Sequence, residues 1–119
     1  MAWQLQRAEG FESAFRRFDK KHSEEAKAIL KNLDRYLESL QQGLNPLQIK
    51  TGFIHNEPKG VKAIDQSGCN NPNPTQARLY IYPEIDKNLL HIITIGTKQD
   101  QDADVNTSGS YVTRLRKGG

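Results

Sequence analysis

The chain has 119 residues, of which 35% are hydrophobic and 26% charged, and these proportions exclude a disordered chain and favour one globular domain. The net charge of +3 and the pI of about 9.1 are compatible with a nucleic-acid partner but do not require one. The mean hydropathy is -0.76 and no stretch approaches the ~18 apolar residues of a membrane span, so with no basic and then apolar leader we expect a cytoplasmic protein without membrane partners.

The N-terminal third of the chain predicts a short strand followed by a helical hairpin. Trp3 and Leu5 alternate with glutamines, as in a strand. From Phe11 onward, apolar residues recur at the spacing of an amphipathic helix, and a second apolar stripe runs over residues 26–40 and ends before Gly43. Because the break between the two stripes is short, we expect two packed helices over residues 11–42 whose shared apolar face needs a sheet to cover it.

The strongest strand signal lies in residues 76–98, which predict a β-hairpin. Two sets of side chains alternate along its first strand, an apolar set and a polar set: Ala77, Leu79 and Ile81, and Arg78, Tyr80 and Tyr82. Residues 89–95 are apolar on both faces and rich in β-branched residues, as is typical of a strand inside a sheet. Pro83, Asp86 and Asn88 supply the turn between the two strands.

The remaining segments complete an α+β pattern. Residues 44–58 predict a connector with one short extended piece, and residues 59–66 a strand with Val61 and Ala63 on one face and Lys62 and Ile64 on the other. The proline- and asparagine-rich residues 67–76 predict a mobile loop. We therefore expect a helical hairpin packed on a four-stranded, mainly antiparallel sheet, followed by a tail over residues 106–119 that is either strand or helix.

Arg78, Tyr80 and Tyr82 are the candidate binding residues, because they alternate onto one strand face while the opposite face is apolar. A guanidinium beside aromatic rings suits binding of a phosphate and stacking of a base. Lys62 adds a second cation to this face if its strand neighbours the hairpin, and Lys98 a third. The alternative interpretation is an ordinary amphipathic strand whose tyrosines shield an exposed sheet face.

No metal or cofactor site is predicted. Asp100, Asp102 and Asp104 resemble the start of a calcium loop, but Val105 stands where such a loop needs glycine, so a solvated or partner-facing acidic segment is the better interpretation. The three histidines are scattered over a helix end, a connector and a strand. Cys69 has no cysteine partner and is interpreted as a plain loop residue.

The order of these elements resembles the RelE/ParE-like toxin superfamily of bacterial toxin–antitoxin systems. The matching pieces are the helices FESAFRRF and SEEAKAILKNLDRYLESL, the strand GVKAID and the hairpin ARLYIYPEI…LLHIITIGTK. The resemblance covers residues 1–105, which it implies to be a RelE-like toxin domain, and leaves residues 106–119 as a C-terminal tail. It rests on pattern, because the family has no invariant signature.

In the ribonuclease members of that family a concave sheet face bearing Lys, Arg and Tyr side chains cuts messenger RNA, often on the ribosome. The resemblance implies that Arg78, Lys62 and Lys98 stand for the catalytic cations of the third, second and fourth strands, and it offers Tyr111 for a C-terminal tyrosine. It implies a metal-independent endoribonuclease in which the 2′-hydroxyl attacks the adjacent phosphorus and Arg78 stabilises the developing charge. The implied partners are a cognate antitoxin and messenger RNA.

The same resemblance leaves a second function open. Some members inhibit DNA gyrase and others are inactive, so fold alone does not select the activity. Lys98 stands where the family usually has an arginine, and the acidic segment places negative charge near any RNA groove. The alternative is therefore a non-catalytic module of the same fold that binds a protein partner, and the oligomeric state is not predicted.

Overall fold

A computed structural model describes residues 2–118, within which five strands form one mixed sheet. The strands are β1 (Gln4–Arg7), β2 (Ile54–Asn56), β3 (Lys62–Asp65), β4 (Ala77–Glu84) and β5 (Leu89–Thr97), and the α-helices are α1 (Phe11–Lys21), α2 (Ser23–Gln41) and α3 (Gln101–Lys117). The sheet order is β1-β5-β4-β3-β2, with β1 parallel to β5 and every other pair antiparallel. The α+β class is confirmed.

The hairpin of β4 and β5 lies at the centre of this sheet, as its sequence predicts. Its turn is a short 3-10 segment ending at Asn88, which adopts a left-handed backbone with φ of 52°, a conformation that asparagine tolerates better than most residues. The register slips between Tyr80 and Ile81, where β5 carries one extra residue, Ile93. Such a bulge bends and twists the pair locally.

The prediction of four strands is corrected to five, with one parallel pair. The additional strand, β2, is the short extended piece expected in the connector, and it pairs with β3 at the edge of the sheet. Three residues are too few to show an alternating pattern, which is why it could not be counted from sequence. The parallel pair consists of β1 and β5. Parallel strands need a long connection, and β1 and β5 are far apart in the chain.

The helical hairpin packs on one sheet face, as expected. The two helices meet at His22, and their buried residues form one cluster with the apolar side of β3, β4 and β5: Phe11, Phe18, Ile29, Leu33, Tyr36, Leu40, Ile64, Leu79, Ile81, Leu90 and Ile92. Within residues 2–118, no helix is long and apolar enough to cross a membrane.

The opposite sheet face is covered by α3, which extends over most of the segment expected to be a tail. Val112 is fully buried and packs with Val61, Ala63, Tyr80 and Ile93 of the sheet. The helix starts before residue 105, so the expected domain boundary falls inside it. Its helical stripe was missed because two of its three buried positions, Ser108 and Gly109, carry little or no apolar surface.

Candidate functional site

A small pocket of about 80 Å³ lies where β4, the end of β5 and the start of α3 meet. Arg78 and Tyr80 reach it from β4, Lys98 follows β5 directly, and Gln101 is the first residue of α3. The structure therefore brings three of the predicted residues together, two from β4 and one from the turn after β5. Cations and a phenol around a confined space suit an anionic ligand such as a phosphodiester.

Arg78 is held in this pocket by an ion pair. Its Nη1 atom donates a hydrogen bond to a carboxylate oxygen of Glu57 at 3.0 Å, and the Glu57 side chain is only 11% exposed. The guanidinium therefore has a fixed orientation and can present its remaining N–H groups to a ligand. Sequence reasoning missed Glu57, because it lies 21 residues from Arg78 in a connector without any periodic pattern.

Tyr80 contributes a neutral phenol. The residue is 1% exposed. Burial, together with the carboxylates of Asp104 and Glu57, raises the pKa of Tyr80 to about 12, while Arg78 acts in the opposite direction. At neutral pH the hydroxyl is therefore protonated, and it can donate a hydrogen bond to a phosphate oxygen rather than act as a phenolate base.

Lys62 lies outside this pocket, which corrects the expectation that it shares a face with Arg78. Its cross-strand partner is Ile81, and cross-strand partners lie on the same sheet face. Ile81 belongs to the cluster that packs against the helical hairpin, so Lys62 lies on that face too. The Nζ atom donates to the Asn56 side-chain oxygen at 2.7 Å, and burial lowers the pKa of the Lys62 amine. The expectation failed because β3 and β4 pair with Ala63, not Lys62, opposite Tyr80.

Tyr82 and Tyr111 lie toward the other end of β4. Tyr82 pairs across strands with His91, a buried residue whose Nε2 atom is 2.8 Å from Glu84 and whose Nδ1 atom is 2.8 Å from the Tyr111 hydroxyl. In the neutral imidazole Nε2–H donates to the carboxylate, so the Tyr111 hydroxyl donates to Nδ1. This chain of hydrogen bonds fastens α3 to the sheet and does not line the Arg78 pocket.

The acidic segment is partly solvated, since Asp100 and Asp102 are exposed and Asp104 is half-buried. Residues 98–100 form a 3-10 turn, and Asp102 and Asp104 lie in the first turn of α3, where the helix dipole favours negative charge. The Oδ2 atom of Asp104 is buried and has no hydrogen-bond partner among residues 2–118. Burial, and the charge of Asp100, raise the pKa of Asp104 to about 6.

The sheet face carrying Arg78, Tyr80 and Tyr82 is therefore not an open concave surface of the kind that the resemblance implies. Tyr80 is packed under α3 and Tyr82 is half-buried against the same cluster. Lys59 fastens the helix further, since its Nζ atom donates to the Thr113 hydroxyl at 2.8 Å. At the Arg78 end of this face lies the small pocket beside the first turn of α3.

No other protein identifies the site. Over residues 2–118, no three His, Cys, Asp or Glu side chains are grouped so as to hold a metal ion. No family model, curated protein or solved structure matches the chain. The RelE/ParE resemblance therefore remains an interpretation of the sequence pattern, and the residues of the Arg78 pocket are the main structural indication of function.

Proposed function

We propose that the protein is the toxin of a toxin–antitoxin system and acts as a metal-independent endoribonuclease on messenger RNA. The observation that supports this most is the convergence of Arg78, Tyr80 and Lys98 on one pocket. Arg78 and Lys98 are far apart in the chain, on opposite sides of the hairpin turn. They come close only because β4 pairs with β5.

In the proposed reaction the 2′-hydroxyl oxygen forms a bond to the adjacent phosphorus and the bond to the 5′-oxygen breaks. The proton of the 2′-hydroxyl passes to a water molecule, and the 5′-oxygen gains a proton from Lys98. Arg78 stabilises the negative charge that develops on the phosphate, Tyr80 donates a hydrogen bond as a neutral phenol, and Lys98 supplies a second cation and a proton. Glu57 orients Arg78 and does not touch the phosphate.

A second candidate function is a non-catalytic module of the same fold that binds a protein partner, such as a gyrase inhibitor or an inactive relative. The position of α3 favours it, since this helix covers much of the face on which ribonuclease members act. In both cases the resemblance implies a cognate antitoxin as binding partner.

Induction of the chain in a bacterial host distinguishes these functions. We expect growth arrest with fragmentation of messenger RNA, and we expect Arg78→Ala to abolish both while the purified variant keeps the wild-type circular dichroism spectrum. Arg35→Ala is the matched control, because Arg35 is exposed on α2 and outside the pocket. Full toxicity of Arg78→Ala would exclude the proposed site, and arrest with intact RNA would favour a protein target.

A further inference from the structure

A second, larger groove of about 640 Å³ lies between the end of α1 and the start of α3. Arg17, Lys20 and Lys21 line it from α1, and Asp100 and Asp104 line it from the other side. Thr97, at the end of β5, lines both this groove and the Arg78 pocket, so the two are adjacent.

These three cations lack charge partners of their own. Each is exposed, and among residues 2–118 none of them takes part in an ion pair, whereas the neighbouring Arg16 lies 3.7 Å from Glu12. Arg17 and Lys21 are one helical turn apart, which places their Cβ atoms about 6 Å from each other on one face. A row of unpaired cations along one groove wall is complementary to a ligand that carries repeated negative charge.

Two carboxylates, Asp100 and Asp104, lie opposite these three cations in the groove. Asp104 has one carboxylate oxygen buried against Gly96, and Asp100 accepts a hydrogen bond from the Thr97 hydroxyl at 3.4 Å. The Asp104 carboxylate is half-buried, whereas that of Asp100 is exposed. The three exposed cations on α1 outnumber these two carboxylates, so the lining of the groove is net positive.

We propose that this groove binds the backbone of the RNA strand as it leaves the Arg78 pocket, with Arg17, Lys20 and Lys21 contacting phosphates. The proposal rests on the proposed function, since it names the path of the same substrate. Adjacency at Thr97 makes the path continuous, and phosphate contacts of this kind add affinity without reading the base sequence. The groove therefore determines how tightly RNA binds, while the Arg78 pocket performs the cleavage.

The test measures binding of a short, fluorescent, single-stranded RNA made uncleavable by 2′-O-methyl groups. The variant Arg17→Gln/Lys20→Gln/Lys21→Gln is compared with Lys27→Gln/Lys31→Gln/Arg35→Gln, which removes the same charge from exposed positions of α2 outside the groove. Log affinity falls with log salt, and each phosphate contact on a single strand adds about 0.7 to the steepness of that fall. We therefore expect the groove variant to have a slope that is shallower by about 2. The α2 variant should keep the wild-type slope.

The outcomes separate the two proposals. Equal losses in both variants, or no loss in the groove variant, overturn the groove as an RNA surface. If wild-type protein binds RNA and Arg78→Ala abolishes cleavage while the groove variant behaves as wild type, the groove proposal fails alone. If wild-type protein binds no single-stranded RNA, the proposed function fails and the groove proposal with it.

Discussion

Asp104 of α3 places a carboxylate oxygen directly against Gly96 of β5, the residue paired across strands with Arg78. A Cβ atom on Gly96 would collide with that oxygen and would lie 3.2 Å from Cβ of Asp100. The absence of a side chain at this position therefore lets the start of α3 approach the sheet beside the candidate site. This contact gives rise to the first two predictions.

Gly96→Ala should destabilise the protein, because the added methyl group forces the first turn of α3 away from the sheet. We expect the free energy of unfolding to fall by about 1–3 kcal/mol, as in other overpacked sites. Urea denaturation followed by circular dichroism measures it. Gly52→Ala is the control, since a Cβ at Gly52 meets nothing within 4 Å, and equal stabilities of the two variants would contradict the prediction.

Asp104→Asn should stabilise the protein at neutral pH and have little effect in acid. Burial raises the pKa of Asp104 from 3.8 to about 6, so the folded state holds this proton more tightly than the unfolded chain does. The free energy of unfolding of the wild type therefore falls as pH rises from 3.8 to about 6. The asparagine variant has no carboxyl group at this position and does not lose that stability. After discounting for partial exposure we expect a gain on the order of 1 kcal/mol at about pH 7.

Urea unfolding of both proteins at about pH 4 and at about pH 7 measures that difference. The gain should be larger at the higher pH. A variant that is less stable than wild type at neutral pH would indicate that the Asp104 carboxylate has a favourable partner.

Two tyrosine-to-phenylalanine variants should have opposite effects. Tyr111→Phe removes the hydroxyl that hydrogen-bonds the buried His91 ring at 2.8 Å, and leaving that nitrogen unpaired should cost about 1–3 kcal/mol. Tyr36→Phe removes a buried hydroxyl that has no hydrogen-bond partner in the described part of the chain, so the free energy of unfolding should stay constant or rise. Thermal and urea unfolding of the pair check this, and a larger loss for Tyr36→Phe would disprove it.

Lys62→Met should leave RNA cleavage within about twofold of wild type, because the side chain points away from the Arg78 pocket. Removing a buried amine whose burial already lowers its pKa should also keep or raise stability. Cleavage rates of this variant and of Lys98→Met give the comparison. We expect Lys98→Met to lose roughly 10²-fold, as when an electrostatic donor is removed from an active site, and the reverse order would restore the catalytic role that the resemblance implies for Lys62.

Periodicity was sufficient where an element is long and one of its faces is apolar. The stripes of α1 and α2 and the alternation of β4 carry enough residues for their spacing to be unambiguous, and the α+β class follows from them. The same alternation placed Arg78 and Tyr80 on one face. It could not locate β2 within the connector or decide that the tail is the helix α3, because three residues show no period and the buried face of α3 is small, with little apolar surface.

Local pattern alone thus determined the chemistry available to this protein: a cation and tyrosines on a central strand, further cations on α1 and a carboxylate-rich turn. Tertiary structure decided which of these meet. Strand register placed Lys62 on the sheet face opposite to Arg78, whereas Lys98, directly after β5, lies beside Arg78. The packing of α3 buried Tyr80 and covered much of the face that carries Arg78. Register and packing depend on contacts between residues far apart in the chain, and the periodicity of a single segment carries no information about its partner.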